Sequence, residues 1–273
     1  MSVDDDGPRF AMLGRLNDLD PGELARCYAY PAVRPGRPPS CWVRGNMISS
    51  IDGGATRAGK SGDLGAAGDR ALFAALRDLA DVIVVGASTA RVENYSGVQL
   101  SAAQRRERRH RGQSEVPPLA VLTRSGLLAP ESRLFHRTEV TPLILTSADA
   151  APEARRRLGG FAEVLDASGA QTDSVDLRVA LDLLAGKGLT RVLTEGGPGI
   201  LGMFTEQNVL DEMCLTVAPA LVGGKSTRIV TGPAEVHTAM QLGHVLTDDD
   251  GYLYLRYYLR HRRSDPARSG AAQ

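Results

Sequence analysis

The sequence predicts an α/β fold, a mixed and mostly parallel central sheet flanked by helices, with antiparallel C-terminal strands. Three observations carry this. Asp81–Gly86 (DVIVVG), Pro118–Thr123 (PLAVLT), Pro142–Thr146 (PLILT) and Arg191–Thr194 (RVLT) are short continuous apolar runs, the mark of strands buried on both faces. Segments of helical period alternate with these runs, as at Leu72, Leu76 and Leu79 just before the first of them. After Gly202 the pattern changes: Gly251–Leu259 (GYLYLRYYL) alternates and is rich in β-formers.

In chain order, Asp20-Pro21-Gly22-Glu23 reads as a capping box with proline at the first helical position, and a short helix to about Tyr30 follows. Pro31–Pro39 holds four prolines and cannot join a sheet interior. Residues 1–39 are therefore expected to be an N-terminal extension on a main domain of residues 40–260. Cys41–Ser49 reads as a strand. Asp52-Gly53-Gly54 and Gly59–Gly68 make a glycine-rich loop, and a helix follows over Asp69–Leu79. A short helix begins near Ser88. Residues 96–117 are arginine-rich without interleaved aromatics and read as a solvated loop or helix. Helices are expected near Ala151–Leu158 and Asp176–Lys187, and strands at Glu163–Leu165, Glu212–Ala218 and Gln241–Val245. The polar tail, 261–273, is expected to fray.

Length and composition narrow the function. At about 150 residues per domain, 273 residues make one large domain or two small ones. Lys plus Arg and Asp plus Glu both number 32, and aromatics are 5%, which argues against nucleic acid as a partner. No run of about 18 apolar residues exists to span a membrane, and MSVDDDGPRF lacks a signal-peptide core. Cys27, Cys41 and Cys214 are far apart and odd in number, as expected of reduced thiols in a cytoplasmic protein. No C-x-x-C or H-x-E occurs and the five histidines are scattered, so no metal is expected. Neither a Walker A loop nor a G-x-S-x-G nucleophile is present.

Ligands of open α/β sheets sit at the carboxyl ends of strands. Four such ends carry glycine or small hydroxyl residues: Gly86-Ala87-Ser88-Thr89, Thr123-Arg124-Ser125, Thr146-Ser147 and Glu195-Gly196-Gly197-Pro198-Gly199. Glycine lets backbone approach a phosphate, and a helix N-terminus offers unpaired N–H groups. Gly197, Gly199 and Gly202 spell G-x-G-x-x-G before an expected helix, with Gly197 expected at positive φ. The acidic residue of a Rossmann site is missing about 20 residues later, so the phosphate-binding physics is kept and the Rossmann fold is not.

Taken together, Ser49-Ser50-Ile51-Asp52-Gly53, the segment from Ser61 to Leu76-Arg77, Asp81–Thr89 (DVIVVGAST), Thr194–Gly199 (TEGGPG), and Leu210-Asp211-Glu212 leading into Ala218–Gly224 resemble the reductase domain of riboflavin biosynthesis. That domain has a dihydrofolate-reductase-like fold and often follows a zinc deaminase; a stand-alone form is expected here. The resemblance spans roughly residues 41–260. It implies NADPH as cofactor and a homodimer, to which Gly251–Leu259 is a candidate pairing edge. It implies that Gly86, Ser88 and Thr89 meet cofactor phosphates, and that Gly196, Gly197, Pro198 and Gly199 hold the pyrophosphate. Thr123, Arg124 and Ser125 would lie near the adenosine ribose, where Arg suits a 2′-phosphate, and Thr146 is a further cofactor-binding candidate.

Asn46, Asp52, Ser61, Arg77 and Glu195 fall at substrate positions, with Ser61 and Arg77 matching substrate-phosphate contacts. A second reading of Arg77 is a helix-end residue facing the dipole. Glu93 and Asn94 are the candidate catalytic residues. The family's Asp-Asp-Pro is Glu93-Asn94-Tyr95 here, and its lysine before the Ser-x-Asp-Gly turn is Asn46. The implied activity is NADPH-dependent reduction of a phosphoribosylaminopyrimidine. A pterin or dihydrofolate ring, or NADPH binding without turnover, is the alternative.

Overall fold

Two helix-covered faces of one sheet make up the molecule. The computed structural model describes residues 20–31 and 41–260. In order these form α1 (Pro21–Cys27), β1 (Trp42–Ser50), a 3-10 turn (Gly62–Leu64), α2 (Ala67–Leu79), β2 (Val82–Gly86), α3 (Ala87–Val92), α4 (Ala102–His110), β3 (Leu119–Thr123), α5 (Arg133–His136), β4 (Leu143–Thr146), α6 (Ala151–Leu158), β5 (Glu163–Asp166), α7 (Leu177–Gly186), β6 (Arg191–Thr194), α8 (Pro198–Glu206), β7 (Glu212–Ala218), β8 (Met240–Thr247) and β9 (Leu253–Leu259). Most of the proline-rich stretch and the expected tail, 261–273, lie outside the described residues.

The strands order as β5-β4-β3-β2-β6-β1-β7-β9-β8. Every pair from β5 to β7 is parallel, and β9 pairs antiparallel with both β7 and β8. The apolar runs behave as strands buried on both faces must. Ile83, Val85, Leu119, Val121 and Ile144 point into one core with α2, α3 and α6. Val82, Val84, Ala120, Leu122, Leu143 and Leu145 point into the other with α7 and α8.

Three expectations are corrected. First, Gly251–Leu259 is no free edge: β9 is enclosed by β7 and β8, so it cannot pair with another subunit, and β8 is the edge strand. Secondly, the arginine-rich stretch is not wholly solvated. It forms α4, opened by a Ser101–Gln104 capping box, and its Arg108 is fully buried. That guanidinium donates to the carbonyls of Asp78 (2.6 Å), Ala80 (2.8 Å) and Ser114 (2.8 Å), so it caps the end of α2, whose last carbonyls have no helical partner. Burial pushes its pKa down to about 10. Thirdly, Gly199 and Gly202 lie inside α8 rather than before it. A Cβ on Gly202 would sit 1.9 Å from the Thr231 carbonyl oxygen, so this glycine serves loop packing.

A second buried cluster fastens α1. Its capping box forms as expected, and the helix ends at Cys27. Beyond it, Arg44 of β1 donates to the Tyr28 carbonyl (2.7 Å), and Arg256 of β9 donates to those of Cys27 and Ala29. Both guanidiniums share Glu212 of β7: Arg44 Nε lies 2.6 Å and Arg256 Nε 2.7 Å from Oε1, and Trp42 Nε1 reaches Oε2 at 2.9 Å. Burial raises the Glu212 pKa, but the two guanidiniums win and hold it below the ordinary glutamate value.

Candidate active site at the strand ends

Because β1 to β6 run parallel as neighbours, their carboxyl ends share one edge. Thr146, Thr123, Gly86, Glu195 and Ser50–Asp52 stand there in strand order. At the centre, β2 and β6 are adjacent, yet α3 packs in one core and α8 in the other. Helices leaving neighbouring strands toward opposite faces open a crevice, the usual ligand position of such sheets.

The crevice walls touch through glycine. Gly86 N–H donates to the Gly196 carbonyl at 2.7 Å. A Cβ on Gly86 would meet Ile200 Cγ1 at 2.6 Å, and one on Gly197 would meet Thr89 Oγ1 at 2.5 Å. The left-handed residue is Gly196 (φ 79°), whereas Gly197 has φ −68°, which corrects the expected position of the positive φ. The Gly196–Gly197 peptide is cis. Neither α3 nor α8 has a side-chain N-cap bond, so the N–H groups of the first turn of α3 and, Pro198 having none, those of Gly199 and Ile200 in α8 have no capping side chain. Thus Gly86, Ser88, Thr89 and Gly196–Gly199 are brought together.

Farther along the edge, Thr123 and Thr146 are buried while Arg124 and Ser125 are exposed. Ser147 Oγ donates to the Arg124 carbonyl at 2.8 Å, and Thr123 Oγ1 accepts from Gly126 N–H at 3.2 Å. The hydroxyls shape two neighbouring turns, and the Arg124 side chain makes no hydrogen bond among the described residues.

The expected substrate residues separate into three groups. Arg77, in the last turn of α2, grips Glu195 in a fork: Nε to Oε1 and Nη2 to Oε2 are both 2.7 Å. Tyr95 Oη donates to the same Oε2 at 2.7 Å, and Phe73 stacks under the guanidinium at 4.1 Å. The Glu195 side chain is 2% exposed. The pair holds the Arg77 pKa up, and burial pushes that of Tyr95 well up. Arg77 Nε and Nη2 are thus both taken up by Glu195. Sequence reasoning did not place Tyr95 in the site; its position directly after Glu93-Asn94 was the available signal.

The second group is Ser61 and Glu93. Glu93 Oε1 accepts from Ser61 N–H (2.9 Å) and Oγ–H (2.8 Å). Asn94 is exposed with φ 51° and closes α3: its N–H reaches Arg91 O at 3.3 Å, and Tyr95 N–H reaches Ala90 O at 2.9 Å. This is the left-handed stop that asparagine tolerates, and it turns Tyr95 back toward Glu195. The third group lies at β1. Asp52 is exposed and accepts from Ser50 Oγ (2.5 Å), Val222 N–H (3.1 Å) and Gly223 N–H (2.7 Å), which hold its pKa down to about 2. It braces the loop after β7. Asn46 is half-buried on β1, beside Cys214 of β7.

Cys27, Cys41 and Cys214 are free thiols, and burial pushes Cys41 up to about 12. Among the described residues no group of three His, Cys, Asp or Glu could hold a metal ion.

Comparison with known proteins agrees with this architecture. A 2,5-diamino-6-ribosylamino-4(3H)-pyrimidinone 5′-phosphate reductase from Archaeoglobus fulgidus is 28% identical over 155 residues, 57% of this chain and 69% of that one. The protein of the same name from Methanothermobacter thermautotrophicus is 27% identical over 185 residues, 67% and 80% of the two chains. Among solved structures, a pyrimidine reductase-like protein from Corynebacterium diphtheriae superposes with a TM-score of 0.72 at 28% identity, over 81% of this chain and 93% of that one. The family model described as the RibD C-terminal domain matches residues 41–254, so the chain belongs to that family.

Proposed function

We propose that the protein is an NADPH-dependent reductase of a phosphoribosylaminopyrimidine, the class of compound that its named relatives reduce. The observation that carries the reading is the crevice between β2 and β6, glycine-walled and rimmed by the N-termini of two helices that have no side-chain cap. It fits a pyrophosphate, and the Thr123–Ser125 and Thr146 turns beside it fit the adenosine end. A reduced nicotinamide bound there supplies hydride.

The reaction opens the ribosylamine to an imine, adds hydride to C1′ and a proton to nitrogen, and leaves a ribityl chain. The protein's share is alignment and exclusion of water. Gly86, Ser88, Thr89 and Gly196–Gly199 hold the phosphates. Ser61 and Glu93, bonded to each other at 2.8 Å, are the proton-handling pair on the substrate side. Arg77 acts through Glu195 rather than on the substrate phosphate. Residues 40–260 carry this activity, in a cytoplasmic homodimer. Among the described residues no helix is long and apolar enough to cross a membrane.

Loss of reduced-nicotinamide absorbance with the 5-amino-uracil and 2,5-diamino-pyrimidinone substrates, against dihydrofolate, tests the reading. Turnover of either pyrimidine is expected. Turnover of dihydrofolate alone, or NADPH binding without turnover, overturns it. Sedimentation velocity tests the homodimer, and a monomer at micromolar concentration contradicts it. Arg124→Ala is expected to weaken NADPH by roughly 10- to 150-fold, one lost charge-assisted contact, and to leave NADH unchanged. Equal losses for both cofactors in titration would remove Arg124 from the 2′-phosphate.

A further inference from the structure

The segment Glu93–Tyr95 holds two different parts of the site at once. Its first residue takes the N–H and hydroxyl of Ser61, on the loop before α2, at 2.9 and 2.8 Å. Its last residue takes the Glu195 carboxylate at 2.7 Å. Between them Asn94 sits in the left-handed region and locks the turn with two backbone bonds. Glu195 in turn leads directly into the cofactor turn. Its own N–H is bonded to Val84 O at 3.0 Å, and the next carbonyl, Gly196 O, takes the Gly86 N–H. A continuous chain of bonds therefore runs from Ser61 through Glu93 and the Asn94 turn to Tyr95, Glu195 and the glycine wall.

We propose that Tyr95 is a positioning residue for the reaction and that Glu93–Tyr95 is a clamp coupling the Ser61 loop on the substrate side to the Gly196–Gly197 turn on the cofactor side. Its functional meaning rests on the reading above; its mechanics do not. Tyr95 acts through Glu195. Arg77 supplies the charge that keeps Glu195 in place, and the Tyr95 hydroxyl fixes which way the carboxylate is turned. Loading of one side should then be felt at the other as a free-energy coupling.

Hydrogen exchange on the full chain tests the mechanics without any ligand. Tyr95→Phe keeps the ring and removes one bond. It is expected to speed exchange at the Ser61 amide at least fivefold, although Ser61 touches Glu93 and not Tyr95. Glu93→Ala, which removes the oxygen that accepts both Ser61 bonds, is expected to do the same at the Gly86 and Glu195 amides. The double variant should show less than the product of the two effects, because both cut one connection. Exchange that rises only beside each substitution overturns the clamp.

NADPH titration supplies the second readout. Tyr95→Phe and Glu93→Ala are each expected to weaken NADPH at least threefold with an unchanged melting midpoint. A purely structural role would move the midpoint instead. Unchanged affinity in both variants, with wild type binding NADPH, also overturns the proposal. If the amides couple as described but wild type binds no NADPH, the clamp stands and the functional reading fails.

Discussion

Glu212→Gln is expected to destabilise the fold by about 3–5 kcal/mol, the cost of removing one partner from a buried ionic cluster. The variant leaves Arg44 and Arg256, 0% and 4% exposed, without an anion. For a chain of this size the melting midpoint should fall on the order of 10 °C. The only tryptophan, Trp42, donates to Glu212, so its fluorescence reports the loss directly.

The same carboxylate predicts a pH signature. Its folded pKa lies below the ordinary glutamate value, so its stabilisation is full above that value and is lost as pH falls through the folded pKa. Wild type should therefore lose stability more steeply than Glu212→Gln as acid is added from pH 5 downward. Parallel acid-unfolding curves, or a midpoint unchanged at pH 7, would refute this account. Replacing all three ionic residues by apolar ones would not restore full stability here. The carbonyls of Cys27, Tyr28 and Ala29 would lose their donors.

Gly197→Val is expected to abolish useful NADPH binding while the fold survives. The backbone there has φ −68°, which valine accepts, so the chain should still close. The side chain, however, starts 2.5 Å from Thr89 Oγ1 and projects between the two turns that rim the crevice. Each charge-assisted phosphate bond lost costs about 1.5–3 kcal/mol, or roughly 10- to 150-fold in affinity. Titration by nicotinamide fluorescence, with circular dichroism to confirm folding, measures both halves of the claim. Wild-type affinity in a folded variant would move the phosphate site elsewhere.

What the sequence could and could not show follows from the range of each interaction. Strands β2, β3, β4 and β6 were legible because burial on both faces writes itself as a local apolar run. Their carboxyl ends, with Gly86, Thr123, Thr146 and Gly196–Gly199, came with them, since strand direction fixes which ends share an edge. Partners far apart in the chain left no local trace. Arg77 and Glu195 are 118 residues apart, Tyr95 and Glu195 100, Arg44 and Glu212 168. Nothing local in the sequence thus marked the Arg77–Glu195 pair, because an arginine near a site looks the same whether its partner is substrate or carboxylate. Arg108 was hidden among neighbouring arginines that differ from it only in burial. Strand alternation in Gly251–Leu259 showed a pleated segment but not its neighbours, so an inner strand passed for an edge.

That inner place of β9 governs the order in which the chain can be finished during synthesis. The edge strand β8 is made first but has no sheet neighbour except β9. Until residues 253–259 leave the ribosome, β8 hangs without a ladder, and β7 offers its open hydrogen-bonding side along Glu212–Val217 to any passing strand. Glu212 also waits, holding one guanidinium where the finished molecule gives it two. The parallel part of the sheet can assemble early, but its last seam is sewn only by the final described strand. A chain stopped at Gly251 should therefore keep most of its secondary structure and still aggregate.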